Sequence, residues 1–231
     1  MNRKKDAGER AGRAAASDAA HPGRGTVSVA AVILAAGRST RMGNAHKLLL
    51  PYGDVTVIGA VARTAEKAGL YPVVTVVGHE APAVCEALVG RRVEVVTNPA
   101  YAQGQGSSLA AGIAAVRRRP EVGAAAVLLA DEPGVPLEAI RAVVAVWREG
   151  GPPAVRVRYR DRPGHPVLFD RSLFSRLTAL RGEGGLRAAS GGLEGPGLSD
   201  MSVGEVGLDL YAPVDIDTPA DHAAALARLR R

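Results

Sequence analysis

The sequence predicts an α/β protein built in three layers, with a doubly wound, mostly parallel sheet between two layers of helices. An apolar run from Val27 to Ala35 reads as a strand buried on both faces, as happens when helices cover a parallel sheet on each side. Strand-like and helix-like stretches then alternate as βαβαβ over about the first 150 residues, the order that builds such sheets. The polar, glycine-bearing segments fall just after predicted strands, at the carboxyl edge where these sheets bind ligands. With 231 residues, 47% of them hydrophobic, the chain can bury a sizeable core, most simply as one domain. Only 3% of it is aromatic, so that core rests on Ala, Val and Leu.

Before the first strand, residues 1–26 carry six Lys/Arg against three acids, which is half of the net charge of +6. The segment is rich in Ala, Gly and Arg and has no apolar stripe, so it reads as a disordered basic tail ahead of a folded domain at 27–231. It resembles neither a secretory signal nor a membrane anchor, and no run of about 18 apolar residues occurs, so no membrane is expected. The remaining charge is modest and comes with few rings for base stacking, which argues against nucleic acid as a partner. The single cysteine, Cys85, excludes an internal disulfide and suits a reducing cytoplasm.

The first strand opens into a loop holding Leu34, Ala35, Ala36, Gly37, Arg38, Ser39, Thr40, Arg41, Met42, Gly43 and Lys47. Glycine lets the backbone approach an anion, and the three cations supply charge, so this is a place to hold phosphate. The other reading is an ordinary solvated loop. It is no Walker A, because five residues separate Gly37 from Gly43 and Lys47 is followed by Leu48. Nor does the chain carry a complete G-x-G-x-x-G, so a Rossmann dehydrogenase is not expected.

Next comes a helix over Val55–Ala68, stopped by Gly69, then a strand at Pro72–Val77, a helix at Ala81–Val89 and a strand at Arg92–Val96. A helix at Ser107–Arg119, a strand at Ala124–Ala130 and a helix at Pro136–Trp147 complete the first half. Gly104, Gly106, Ser107 and Ser108 form a flexible turn with an exposed helix N-terminus, either an anion or ribose site or a routine serine cap. Asp131 stands at the mouth of an apolar strand, a hard oxygen ligand suited to Mg²⁺ beside phosphates, or else a helix cap. Pro133 and Pro136 separate it from the next helix, which favours the metal.

In the later half, Ala154–Tyr159 and Arg162–Phe169 read as two short strands with a turn. His165, between Gly164 and Pro166, has a constrained backbone and serves either a ligand or a structural hydrogen bond. Near the end, Asp215 and Asp217 occupy alternating strand positions, of which one can face a site, while Thr218 and Pro219 begin a helix at Ala220–Arg230. No Cys nucleophile and no defensible Ser-His-Asp set occurs, so catalysis would rest on positioning and charge neutralisation.

Leu34–Gly43 with Lys47 resembles the signature of nucleotidyltransferases with a GT-A-like (nucleotide-diphospho-sugar transferase-like) fold. The N-x-x-x-x-x-G-x-G-S-S-L stretch from Asn98, the Asp131-Glu132-Pro133 triplet and Asp215-Ile216-Asp217-Thr218-Pro219 follow in that family's order. Gly164-His165-Pro166-Val167-Leu168-Phe169 and Gly182–Arg187 resemble the branch that builds the cytidine dinucleotide form of the molybdenum cofactor. The resemblance implies a nucleotide half at 27–150, adding Gly78, Asn98, Gly104, Gly106, Ser107 and Ser108 to the loop, and an acceptor half at 151–231. Glu132, Gly164, His165, Pro166, Gly185 and Arg187 would face the acceptor, Asp131 and Asp217 would bind Mg²⁺, and Arg41 and Lys47 would act in catalysis with them. Glu132 and Glu183 depart from the residues usual at their places. An L-A-A-G start implies CTP rather than GTP, with molybdopterin as acceptor and an apo-molybdoenzyme of the xanthine dehydrogenase type as client. Guanylyl transfer to molybdopterin or another small phosphate, or a non-catalytic cofactor chaperone of the same fold, stand as alternatives.

Overall fold

The computed structural model describes residues 23–38, 42, 45–180 and 203–230. β1 (Ser28–Ala35) is buried along nearly its whole length and lies at the middle of the molecule. Its alternate side chains define two cores: Ala31, Ile33 and Ala35 pack on one side, and Ala30, Val32 and Leu34 on the other. A small hairpin, β2 (Pro51–Tyr52) and β3 (Val55–Thr56), leads into α1 (Val57–Lys67). Thr56 caps that helix by accepting from the Gly59 N–H, and Val57, Ile58, Val61, Ala62 and Ala65 form its buried face. β4 (Val73–Val77), α2 (Ala81–Glu86), β5 (Val93–Thr97), α3 (Gln105–Arg117), β6 (Val122–Leu129) and α4 (Leu137–Arg148) follow as the periodicity predicts. Starts and ends move by one to three residues, and α3 begins at Gln105 rather than Ser107.

Then come β7 (Ala154–Arg158), β8 (Pro163–Asp170), the short α5 (Phe174–Thr178), β9 (Val203–Gly207) and α6 (Pro219–Leu229). Among the described residues, seven strands form one sheet in the order β5-β4-β1-β6-β8-β7-β9. Only β8 runs against the others. α1, α4 and α6 contribute to one core and α3 and α5 to the other, which gives the three layers expected. Neither α5 nor β9 was expected from the sequence. No helix of the described residues is long and apolar enough to cross a membrane.

Two features of this topology position the site. The chain winds from β1 outward to β4 and β5, then crosses back to put β6 on the other flank of β1, so the crevice of the sheet opens at the carboxyl ends of β1 and β6. The β6–β8 ladder stops at Val127 and Val167, while β7 pairs through Arg156 with Val167 and through Val157 with Gly164. His165 and Pro166 therefore have no partner on β7 and bulge, as a strand must where proline supplies no N–H. The bulge brings His165 against the chain that leaves β6.

The expectation of a disordered segment to residue 26 fails at its end. Arg24 donates to the carbonyls of Trp147 and Gly151, both at 2.7 Å, lies 3.3 Å from Asp170 and stacks over the Trp147 ring. A guanidinium offers five donors in a fixed fork, enough to meet all of these without an apolar stripe.

Candidate active site

At the crevice, the Ala130 N–H donates to the Leu34 carbonyl at 3.1 Å, so the loops after β1 and β6 leave side by side. Ala35, Ala36 and Gly37 form one wall of a cleft of about 470 Å³, and Ala130 and Asp131 form another. Lys47 enters from a single 3₁₀ turn, Lys47–Leu49, anchored by the buried Leu48. Asp217 arrives from the far end of the chain, where the Ile216 N–H donates to the Asp131 carbonyl at 2.9 Å. The side chains converge: Lys47 Nζ lies 2.5 Å from Asp131 Oδ2 and 2.9 Å from Asp217 Oδ1. Burial works against the Lys47 charge, but Asp131 and then Asp217 outweigh it and hold its pKa above the ordinary lysine value.

Asp217 does not sit on a strand as expected; residues 211–217 are irregular. The alternation survives nonetheless, with Asp217 facing the cleft and Asp215 facing Arg162 at 3.1 Å. The Thr218-Pro219 reading holds, and Asp221 completes a capping box by accepting from the Thr218 N–H at 2.8 Å.

The third wall is the start of α3, with Tyr101, Gly104, Gln105 and Ser108. Gly104 precedes the helix at φ 103°, a conformation that other residues strain to adopt. The picture of a flexible turn with open serines is corrected: Gly106 lies inside the helix, and Ser107 and Ser108 are buried. Asn98 Nδ2 donates to Ser107 Oγ at 2.9 Å and to Ser108 Oγ at 3.0 Å, and its Oδ1 accepts from the Ala100 N–H. Asn98 and Ser107 are thus a brace behind the wall, and of the two serines Ser108 reaches the cleft. Gly78 lies behind it too, so close that a Cβ there would stand 2.7 Å from Tyr101 and 2.9 Å from Ala36. Met42 is buried, and Arg38 stacks over Tyr101 at the rim. Ser39, Arg41 and Gly43 lie outside the described residues, as do Gly185 and Arg187. Leu48, Tyr101, Gln105, Leu129 and Ala130 also line the cleft and were not anticipated. Only Tyr101, a rare aromatic beside a glycine turn, left a readable signal.

A second polar cluster lies beside this one. Glu132 and His165 are buried, with Oε1 and Nδ1 3.7 Å apart, and the Tyr159 hydroxyl donates to the His165 carbonyl at 2.7 Å. Burial and the neighbouring Glu132 push the Asp215 carboxyl up to about 6, against the pull of Arg162. His165 lies buried in β8, and neither it, Gly164, Pro166 nor Glu132 lines the cleft.

This arrangement matches a known family: residues 31–195 fit the MobA-like NTP transferase domain. The chain belongs to that family. Rv0371c from Mycobacterium tuberculosis H37Rv is 31% identical, with a TM-score of 0.75 over 87% of this chain and 99% of that one. The same protein has been crystallised with manganese; there the identity is 32% and the TM-score 0.69, over 87% and 98% of the two chains. Mth528, a nucleotidyl transferase from Methanothermobacter, is 25% identical with a TM-score of 0.71 over 88% and 98%. Nicotine blue oxidoreductase of Paenarthrobacter nicotinovorans is 32% identical over 165 residues, 69% of this chain and 79% of that protein.

A divalent metal fits this MobA-like cleft. Two carboxylates already converge on one cationic nitrogen, and they are the hard oxygen donors such ions take. Among the described residues no group of three or more His, Cys, Asp or Glu stands ready to hold an ion. Asp131 and Asp217 are therefore the described side chains that would hold such an ion.

Proposed function

We propose that this MobA-like protein transfers a nucleoside monophosphate, CMP from CTP, to the phosphate of molybdopterin and releases pyrophosphate. The observation that carries the reading is the convergence of Lys47, Asp131 and Asp217 at the carboxyl ends of β1 and β6, in a cleft of nucleotide size. Leu34, Ala35, Ala36 and Gly37, the L-A-A-G start that the family resemblance ties to CTP, all line the cleft, which supports CTP over GTP. Bound Mg²⁺ would supply charge neutralisation on the phosphates. Lys47 offers a point charge to the triphosphate, the backbone at Gly37 leaves room for it to approach, and Asp131 and Asp217 would hold the metal. The acceptor phosphate attacks the α-phosphorus in line, and the bond to pyrophosphate breaks. The family resemblance assigns His165 and Glu132 to the acceptor; buried beside the cleft rather than lining it, they would act there by positioning the chain that leaves β6, and a xanthine dehydrogenase-type apo-enzyme is the proposed recipient of the product.

A second reading is redox chemistry on a bound nucleotide cofactor, favoured by the likeness to nicotine blue oxidoreductase. Calorimetry with Mg²⁺-CTP tests the first reading against it. Lys47→Ala should weaken CTP binding about tenfold or more, since a charge–phosphate contact is lost. His165→Ala should keep CTP affinity and raise the Michaelis constant for the pterin or lower turnover. Equal loss of CTP affinity in both would misplace His165, and binding of NADH or NADPH in place of CTP would favour the redox reading.

A further inference from the structure

We infer that, before nucleotide binds, Lys47 is itself the cation of the Asp131–Asp217 pair and keeps divalent metal out of the cleft. The inference deepens the nucleotidyl-transfer reading and depends on it only in naming the nucleotide as the agent that draws Lys47 away. Lys47 Nζ sits within 2.9 Å of both carboxylates, with its side chain only 12% exposed, so it occupies the point on which they converge. An ammonium and a divalent ion at one half-buried point repel each other strongly. The metal must therefore displace Lys47 or stay out. Displacing it leaves an ammonium that has been taken out of water without a counter-ion, which is costly. The protein also offers little in exchange, because among the described residues no third His, Cys, Asp or Glu completes a metal set. A triphosphate removes both obstacles at once: it gives Lys47 a new anion in the same cleft, and it contributes oxygens that complete the metal's shell. Metal and nucleotide then enter together, and Lys47 passes from carboxylate to phosphate as they do.

Mn²⁺ binding to the full-length protein in the absence of nucleotide tests this, read as free Mn²⁺ by electron paramagnetic resonance. Lys47→Met, which keeps the side-chain length and removes the charge, should bind Mn²⁺ at one site at least about tenfold more tightly than wild type. Asp131→Asn added to Lys47→Met should abolish the gain, placing it at these carboxylates. The melting temperature of Lys47→Met should rise more with Mn²⁺ than that of wild type, because a ligand stabilises the state that binds it. Lys47→Gln serves as a second variant should the methionine fold poorly. With CTP present the order should reverse, wild type holding Mn²⁺ better. Equal or weaker Mn²⁺ binding by both variants without nucleotide would overturn the inference. Failure of the wild-type protein to bind any nucleoside triphosphate would sink the nucleotidyl-transfer reading instead, and the nucleotide-free comparison would still decide what Lys47 does.

Discussion

Three charged side chains carry the candidate chemistry, and each was readable for its own reason. Lys47 was readable from the glycine- and arginine-bearing loop that follows an apolar strand, and Asp131 from standing directly after one. Asp217 was readable as one of two alternating carboxylates, although the segment is not a strand. The partner of Asp215 was not readable. Glu132 and His165 meet because β8 is inserted antiparallel between β6 and β7 and bulges at Pro166, a three-dimensional event with no local signature. Asp131→Asn should leave the fold intact, since Asn keeps the shape and the backbone bond from Ile216 remains. It should reduce turnover roughly a hundredfold or more, about 3 kcal/mol of lost transition-state stabilisation. Turnover like that of wild type at saturating Mg²⁺ would remove Asp131 from the site.

At the scale of elements, the central strands and the helices that cover them were legible because burial on both faces leaves a continuous apolar run. β9 was not, since Val203–Gly207 alternates glycine and glutamate with valine at the edge of the sheet and carries too little apolar signal. The start of α3 was misread because Gly106 and the serines looked like a cap, whereas Asn98 binds both hydroxyls from the preceding loop and lets the helix begin at Gln105. Asn98→Ala leaves those buried hydroxyls without their donor. It should cost about 1–3 kcal/mol of stability, lowering the urea midpoint of unfolding. It should also weaken nucleotide binding, because Ser108, Gly104 and Gln105 form one wall of the cleft. Unchanged stability would mean that the brace carries no weight.

At the scale of the whole molecule, Arg24 ties the segment before β1 to the end of β8 through Asp170 and to α4 through Trp147. Desolvation raises the Asp170 pKa, but hydrogen bonds from Ser172 and the Trp147 indole and the charge of Arg24 outweigh it, so the carboxyl titrates below its ordinary value. Its contribution is fully present above the ordinary aspartate pKa of 3.8 and is lost as pH falls through the depressed folded value. Asp170→Asn should therefore destabilise the protein at pH 7 by roughly 2 kcal/mol, a charged hydrogen-bond set being lost. It should also flatten the fall in melting temperature below about pH 4. Deletion of residues 1–22, which spares Arg24, should change the melting temperature less than Arg24→Ala does. The layers on both faces of the sheet lead to the crevice where nucleotide and acceptor are proposed to react. Pyrophosphate release, with product mass, should be followed for CTP, GTP, ATP and UTP in turn with Mg²⁺ and molybdopterin. Cytidylyl transfer should give stoichiometric pyrophosphate and a cytidylylated pterin with CTP, greatly reduced in Asp131→Asn; no pyrophosphate from any of the four nucleotides would rule nucleotidyl transfer out.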